Sequence, residues 1–202
     1  QQNVAIGNGA LKSYQGSSNI AVGNQALEDC TTGSNNTAVG HDVLREITTG
    51  THNTAIGHGA MDTATTAGSN CAFGAGAAND ITDGTYNICI GYRSASYSTV
   101  LTGGHKNICI GSDSYTSNAG ASNQIVIGTY QTGGKGNNTG YINPNGGAMY
   151  QGNNGTHWTQ NSDRRIKKNI VDNTTGLAKI NQITIRNFEY RTEDEIVDFD
   201  NP

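Results

Sequence analysis

Four cysteines, five histidines and a sparse set of carboxylates are the side chains here that could do chemistry beyond packing. The cysteines are Cys30, Cys71, Cys89 and Cys109. None forms a C-x-x-C pair, so a zinc knuckle is not expected. Cys89 and Cys109 hold equivalent places in a repeat described below, near enough in principle for a disulfide. Because cysteine replaces alanine there as a small hydrophobe, stacked buried free thiols are expected instead, in keeping with a reducing compartment. His41 and His58 also hold equivalent places. Stacked imidazoles near a threefold axis would suit a ring of metal ions. The same place elsewhere carries Asn8, Asn24, Ala75, Tyr92, Ser112 and Thr129, so the column reads as tolerant. Neither a metal nor a cofactor is expected. His52, His105 and His157 stand apart. No carboxylate pair recurs at a fixed spacing, so no glycosidase site is visible. The glycines follow no strand-to-helix fingerprint, and nucleotide binding has no support.

The element that must carry these residues is a repeat. The motif Asn-x-Ala-(Ile/Val)-Gly closes at Gly7, Gly23, Gly40, Gly57, Gly74, Gly91, Gly111 and Gly128, at spacings of 16, 17, 17, 17, 17, 20 and 17 residues. Four places before the glycine stand Asn3, Asn19, Asn36, Asn53, Asn70, Asn87 and Asn107, with Gln124 breaking the row. One place before it the residue is large and apolar, from Ile6 and Val22 to Phe73 and Ile127. Two places before it the residue is small, from Ala5 and Ala21 to Cys89 and Cys109. A second glycine often precedes the first by seven (Gly16, Gly33, Gly50, Gly84, Gly104), and a weaker apolar pair follows it, as in Ala26-Leu27 and Val43-Leu44.

Successive strand residues point to opposite faces, so the large and small columns face opposite ways. Neither is polar, so both faces are expected to be buried, the small one against other copies of the chain. About 17 residues cover roughly 55 Å of extended backbone, one turn of a narrow coil with two or three short strands and glycine corners. Turns stacked at about 4.8 Å give eight rungs. Asparagines then bond along the stack.

Composition agrees. The 202 residues include 28 glycines and 25 asparagines, and only 34% are apolar, against the roughly 45–50% of ordinary globular domains. No apolar run reaches the roughly 20 residues of a membrane helix. The net charge of -4 carries no basic patch, so nucleic acid is not an expected partner. Residues 163–202 hold 7 basic and 8 acidic side chains, more than half of all charge, which sets a boundary near residue 162. The chain opens Gln1-Gln2-Asn3 and stops at Asn201-Pro202, and is expected to be a piece of a longer polypeptide.

The run Ser34-Asn35-Asn36-Thr37-Ala38-Val39-Gly40 and its copies resemble the left-handed β-roll repeats of trimeric autotransporter adhesin heads, and still more the longer repeats of bacteriophage tail fibres. Three chains share one axis in both families. The run Ser162-Asp163-Arg164-Arg165-Ile166-Lys167-Lys168-Asn169-Ile170 resembles the start of the intramolecular chaperone domain of endosialidases and phage tail fibres. A short amphipathic helix over 176–183 and a strand over 185–190 follow in the order of that family. The resemblance implies that the domain helps three chains wind together and then cuts the backbone between Ser162 and Asp163. Ser162 is then the nucleophile and Lys167 its base. A serine hydroxyl needs such a base, and the neighbouring cations Arg164, Arg165 and Lys168 favour a neutral lysine.

The expected fold is therefore an all-β, homotrimeric β-solenoid over 1–128, like a left-handed β-roll. A β-rich neck over 129–161 and the start of a small α+β chaperone domain over 162–202 follow. The expected role is a rod in a phage tail fibre or virion appendage, assembled in the host cytoplasm. Its partners would be two further copies, other tail proteins and a host cell-surface receptor, with no membrane insertion. Enzymatic activity would be at most a single self-cleavage. The competing readings are a bacterial trimeric adhesin head and a non-catalytic segment of a polysaccharide-degrading tailspike. Tyr92, Tyr97 and Tyr115 are candidate binding aromatics, expected mainly to pack at rung edges.

Overall fold

The fold is a computed structural model that describes residues 2–13, 15–144, 147–152 and 157–160. Every turn of the repeat contributes one strand: β1 (Val4–Ile6), β2 (Ile20–Val22), β3 (Thr37–Val39), β4 (Thr54–Ile56), β5 (Cys71–Phe73), β6 (Ile88–Ile90), β7 (Ile108–Ser112) and β8 (Ile125–Tyr130). Each pairs in parallel with the next, in register with the motif: Ala21 opposite Ala38, Ala38 opposite Ala55, Cys89 opposite Cys109. This is a β-solenoid of about eight turns, and no helix occurs among the described residues.

One strand per turn, rather than two or three, follows from what comes after the closing glycine. Two and four places beyond it the backbone enters the left-handed region. Gln25 and Asp42 (both φ 54°) take the first of these places, and Leu27 (φ 54°), Leu44 (φ 50°) and Met61 (φ 51°) take the second. A third left-handed corner lies five places before the glycine, at Ser18, Asn35, His52, Ser69, Tyr86, Lys106 and Asn123. Backbone N–H groups at these corners donate to carbonyls of an adjacent turn, as Leu27 N does to Val43 O at 3.0 Å. Stacking satisfies the corners, which no isolated turn could do.

The closing glycines are required twice over. Gly7, Gly23, Gly40, Gly57, Gly74, Gly91 and Gly111 have φ between 125° and 139°. A Cβ on any of them would also come within 3.0 Å of the next turn's glycine carbonyl oxygen.

The interior corrects one expectation. The small column does not face other chains: Ala21, Ala38, Ala55, Cys89, Cys109 and Val126 are wholly buried inside their own coil. Asparagine, two places earlier, shares that face, because strand residues alternate. Leu27, Leu44, Met61, Ile47, Ile81 and Leu101 fill the rest of the core. The large column lies outside, as does the residue three before each glycine. Ile6 is 59% exposed, Phe73 55% and Val4 47%. The apolar column that goes in is the one sharing a face with the asparagines. Cys71 belongs to this outer face and is only partly buried.

The neck continues the stack. β9 (Gly140–Asn143) pairs in parallel with β8, then β10 (Met149–Gln151) and β11 (Thr159–Gln160) add antiparallel strands. The helix expected over 176–183 and the strand over 185–190 lie outside the described residues.

Candidate functional site

Three features distinguish the solenoid. The first is internal. Asn36 donates its backbone N–H (2.9 Å) and side-chain amide (3.2 Å) to Asn19 Oδ1, and its amide also donates to Gly50 O at 2.9 Å. Asn53, Asn70, Asn87 and Asn107 repeat the pattern. All are buried, so every turn is locked to both neighbours by amides shielded from water. The ladder ends at Gln124. Its N–H still donates to Asn107 Oδ1 (3.1 Å), but its longer side chain turns away to donate to Ser117 Oγ at 2.6 Å.

The second feature is the outer strand face. Val4, Ile6, Ile20, Phe73, Ile88, Ile90 and Ile125 are each more than one-third exposed along one line of the rod. Eight strands at about 4.8 Å make this strip roughly 35 Å long. Thr37 and Thr54 interrupt one of its two columns, and an exposed apolar face of this length marks a candidate interaction site.

The third arises where one turn is longer. The three extra residues of the 20-residue turn fall between Ala95 and Leu101, and Leu101 N closes the loop onto Ala95 O at 3.1 Å. Tyr97 lies on this loop. The Arg93 guanidinium stacks on Tyr92 (5.0 Å) and Tyr97 (4.9 Å), and Tyr97 meets Tyr115 at 6.1 Å between centroids. Asp113 Oδ1 holds Arg93 Nε at 2.8 Å. Gln131 Nε2 donates to the hydroxyls of Tyr97 and Tyr130. The three tyrosines singled out in the sequence thus form one cluster, arranged around an arginine and a glutamine that sequence reading did not include. A change of turn length was the signal that could have found them.

The four cysteines are free. Burial pushes the Cys89 thiol far up and the Cys109 thiol to about 12, so neither is a nucleophile at neutral pH. His41 and His58 are stacked, with centroids 5.2 Å apart and planes inclined by 20°. His105 Nδ1 accepts from Thr85 N at 3.1 Å and lies 2.9 Å from Thr85 Oγ1. Burial raises the Asp62 carboxyl despite Arg45 Nε 2.9 Å away. Ser162, Asp163 and Lys167 lie outside the described residues.

Residues 162–201 match the family model described as chaperone of endosialidase. No curated protein and no solved structure gives a significant match. A parallel β-solenoid followed by a chaperone-of-endosialidase domain fits a structural protein of the tail-fibre or tailspike kind.

Proposed function

We propose that this chain is the shaft segment of a homotrimeric phage tail fibre or related virion appendage. It forms in the host cytoplasm and serves attachment to the host surface. The observation that carries the reading is the order of parts: a parallel solenoid of about eight turns precedes the chaperone match that begins at residue 162. Identical rungs are prone to register slips, and long-range parallel stacking folds slowly. A domain that sets the register of three chains answers both problems.

In this reading the outer strand face is the contact between copies. Three identical strips around an axis close on themselves and leave no open end. Each copy keeps its corners outward, where the Tyr92–Arg93–Tyr97–Tyr115 cluster offers aromatic surface to a receptor. Once the rod is wound, Lys167 takes the Ser162 hydroxyl proton, the serine oxygen acts as nucleophile on the scissile Ser162–Asp163 bond, and Lys167 passes the proton to the Asp163 amine as that bond breaks. The chaperone leaves with that amine, and water then hydrolyses the serine ester to a free carboxylate.

The test is native mass by light scattering with intact mass under denaturing conditions, on the complete polypeptide as expressed. A trimer of chains ending at Ser162 supports both halves of the reading. A trimer of uncut chains keeps the rod and removes the catalytic role of Ser162 and Lys167. A monomer overturns the shared-axis assembly.

A further inference from the structure

We propose that His41, Asp42 and His58 form a binding site for a divalent transition metal ion of the zinc class, which staples two adjacent turns of the solenoid. The register creates the pair: each histidine directly follows its turn's closing glycine, and Gly59 N donates to His41 O at 2.9 Å, so the two backbones run side by side. The rings stand face to face at 5.2 Å with both edges open to solvent. Asp42 sits at the left-handed corner (φ 54°). Its Oδ2 lies 2.8 Å from His41 Nδ1, while its Oδ1 is buried and has no hydrogen-bond partner. One ligand atom from each of the three residues lies within 4.8 Å of the others.

Tetrahedral zinc holds donors at about 2.0–2.1 Å, which spaces them roughly 3.4 Å apart. The exposed rings reach that spacing by turning about their side-chain bonds, with no movement of the backbone. Two imidazoles and one carboxylate suit zinc, nickel or copper; calcium takes six or more oxygens, and magnesium keeps to octahedral oxygen sites. The rung itself does not need these histidines, since the equivalent places carry Asn8, Asn24 and Ala75. The ligands come from one chain, so the site does not rest on the assembly proposed above.

The same equivalence supplies native-like variants. Metal-free, untagged protein is titrated with zinc by calorimetry, and its thermal unfolding is followed in parallel. The expected result is one ion per chain and a higher unfolding temperature with zinc. His41→Asn and His58→Asn should each weaken binding by about tenfold or more and abolish the thermal shift. His52→Asn, at a corner where Asn35 occurs naturally, should change neither. Magnesium and calcium should give no shift. Absence of zinc binding, binding unchanged in both variants, or one ion per three chains would each overturn the site.

Discussion

Asn53 donates both its backbone N–H and its side-chain amide to Asn36 Oδ1, at 3.0 and 3.1 Å, and passes the same two bonds on to Asn70 through its own Oδ1. One carbonyl oxygen therefore serves two donors of the next turn, inside a dry core. Asn53→Ala leaves Asn70 N and Ala67 O without partners and takes one of two bonds from Asn70 Nδ2, which keeps Gly84 O. At about 1–3 kcal/mol for each buried unsatisfied group, the loss should be about 3 kcal/mol or more. Denaturant unfolding measures it. A cost near that of an exposed asparagine would mean water enters the ladder.

Two glycines of one turn should behave differently. Gly57 has φ 126° and no room for a Cβ beside Gly74, whereas Gly59 has φ 62° and only the Asn79 amide near it, at 3.6 Å. Residues with side chains already occupy the Gly59 place elsewhere, as Gln25 and Asp42 do. Gly57→Ala should therefore cost several kcal/mol, while Gly59→Asn should cost less than about 1 kcal/mol, because asparagine tolerates the left-handed region. Equal losses in the two variants would show that crowding between turns is not what selects glycine.

The buried thiols make stability depend on alkaline pH. The unfolded chain releases its cysteine protons near 9.0, whereas in the folded chain burial holds Cys109 up to about 12 and Cys89 well above its ordinary value. The folded state then binds more protons between these values, so stability falls as pH rises from about 9 towards 12. Cys89→Ala/Cys109→Ala, which restores the residue most common in that column, should flatten the slope. At pH 8, an alkylating reagent should label partly exposed Cys71 before Cys89 or Cys109.

The period, the glycine corners and the asparagine ladder were legible because each is a column of one residue type at a nearly constant spacing. Which face goes inside was not legible, since Ala38 and Val39 are both apolar. The alanine goes in because it lies two residues from asparagine and so shares the face of the buried ladder, a face that also takes Val126. Nor was the number of strands. Leu27, Leu44 and Met61 adopt positive φ, a conformation that leucine avoids when it stands alone, and only the stack of equivalent corners holds it there. The meeting of Tyr97, Arg93 and Tyr115 depends on three added residues whose path the repeat does not dictate. His41 and His58 were visible as a column, but the part of Asp42 rests on a left-handed corner that its sequence position does not reveal.

Cleavage has a simple genetic test. Ser162→Ala removes the nucleophile, and Lys167→Ala removes the base proposed to activate it. Each should leave the polypeptide uncut by intact mass, with the native mass of a trimer preserved. Lys167→Arg should also stay uncut, since a guanidinium does not give up its proton in this pH range. Continued cleavage in Ser162→Ala would place the nucleophile elsewhere.

The outer strand face decides between assembly through that surface and assembly through the chaperone domain alone. Phe73 and Ile90 are adjacent large-column residues, opposite each other in β5 and β6, and they are 55% and 37% exposed in a single chain. Covering such a side chain contributes about 1.5–3 kcal/mol at full burial, three times over in a threefold assembly, whereas a buried unpaired carboxylate opposes it strongly. Phe73→Glu/Ile90→Glu leaves the core of each coil untouched, because neither side chain enters it. The expected result is a chain that keeps its β-type circular dichroism but scatters light as a monomer or a loosened trimer. A stable trimer in this variant would move the contact to another face and leave the apolar strip to a different partner.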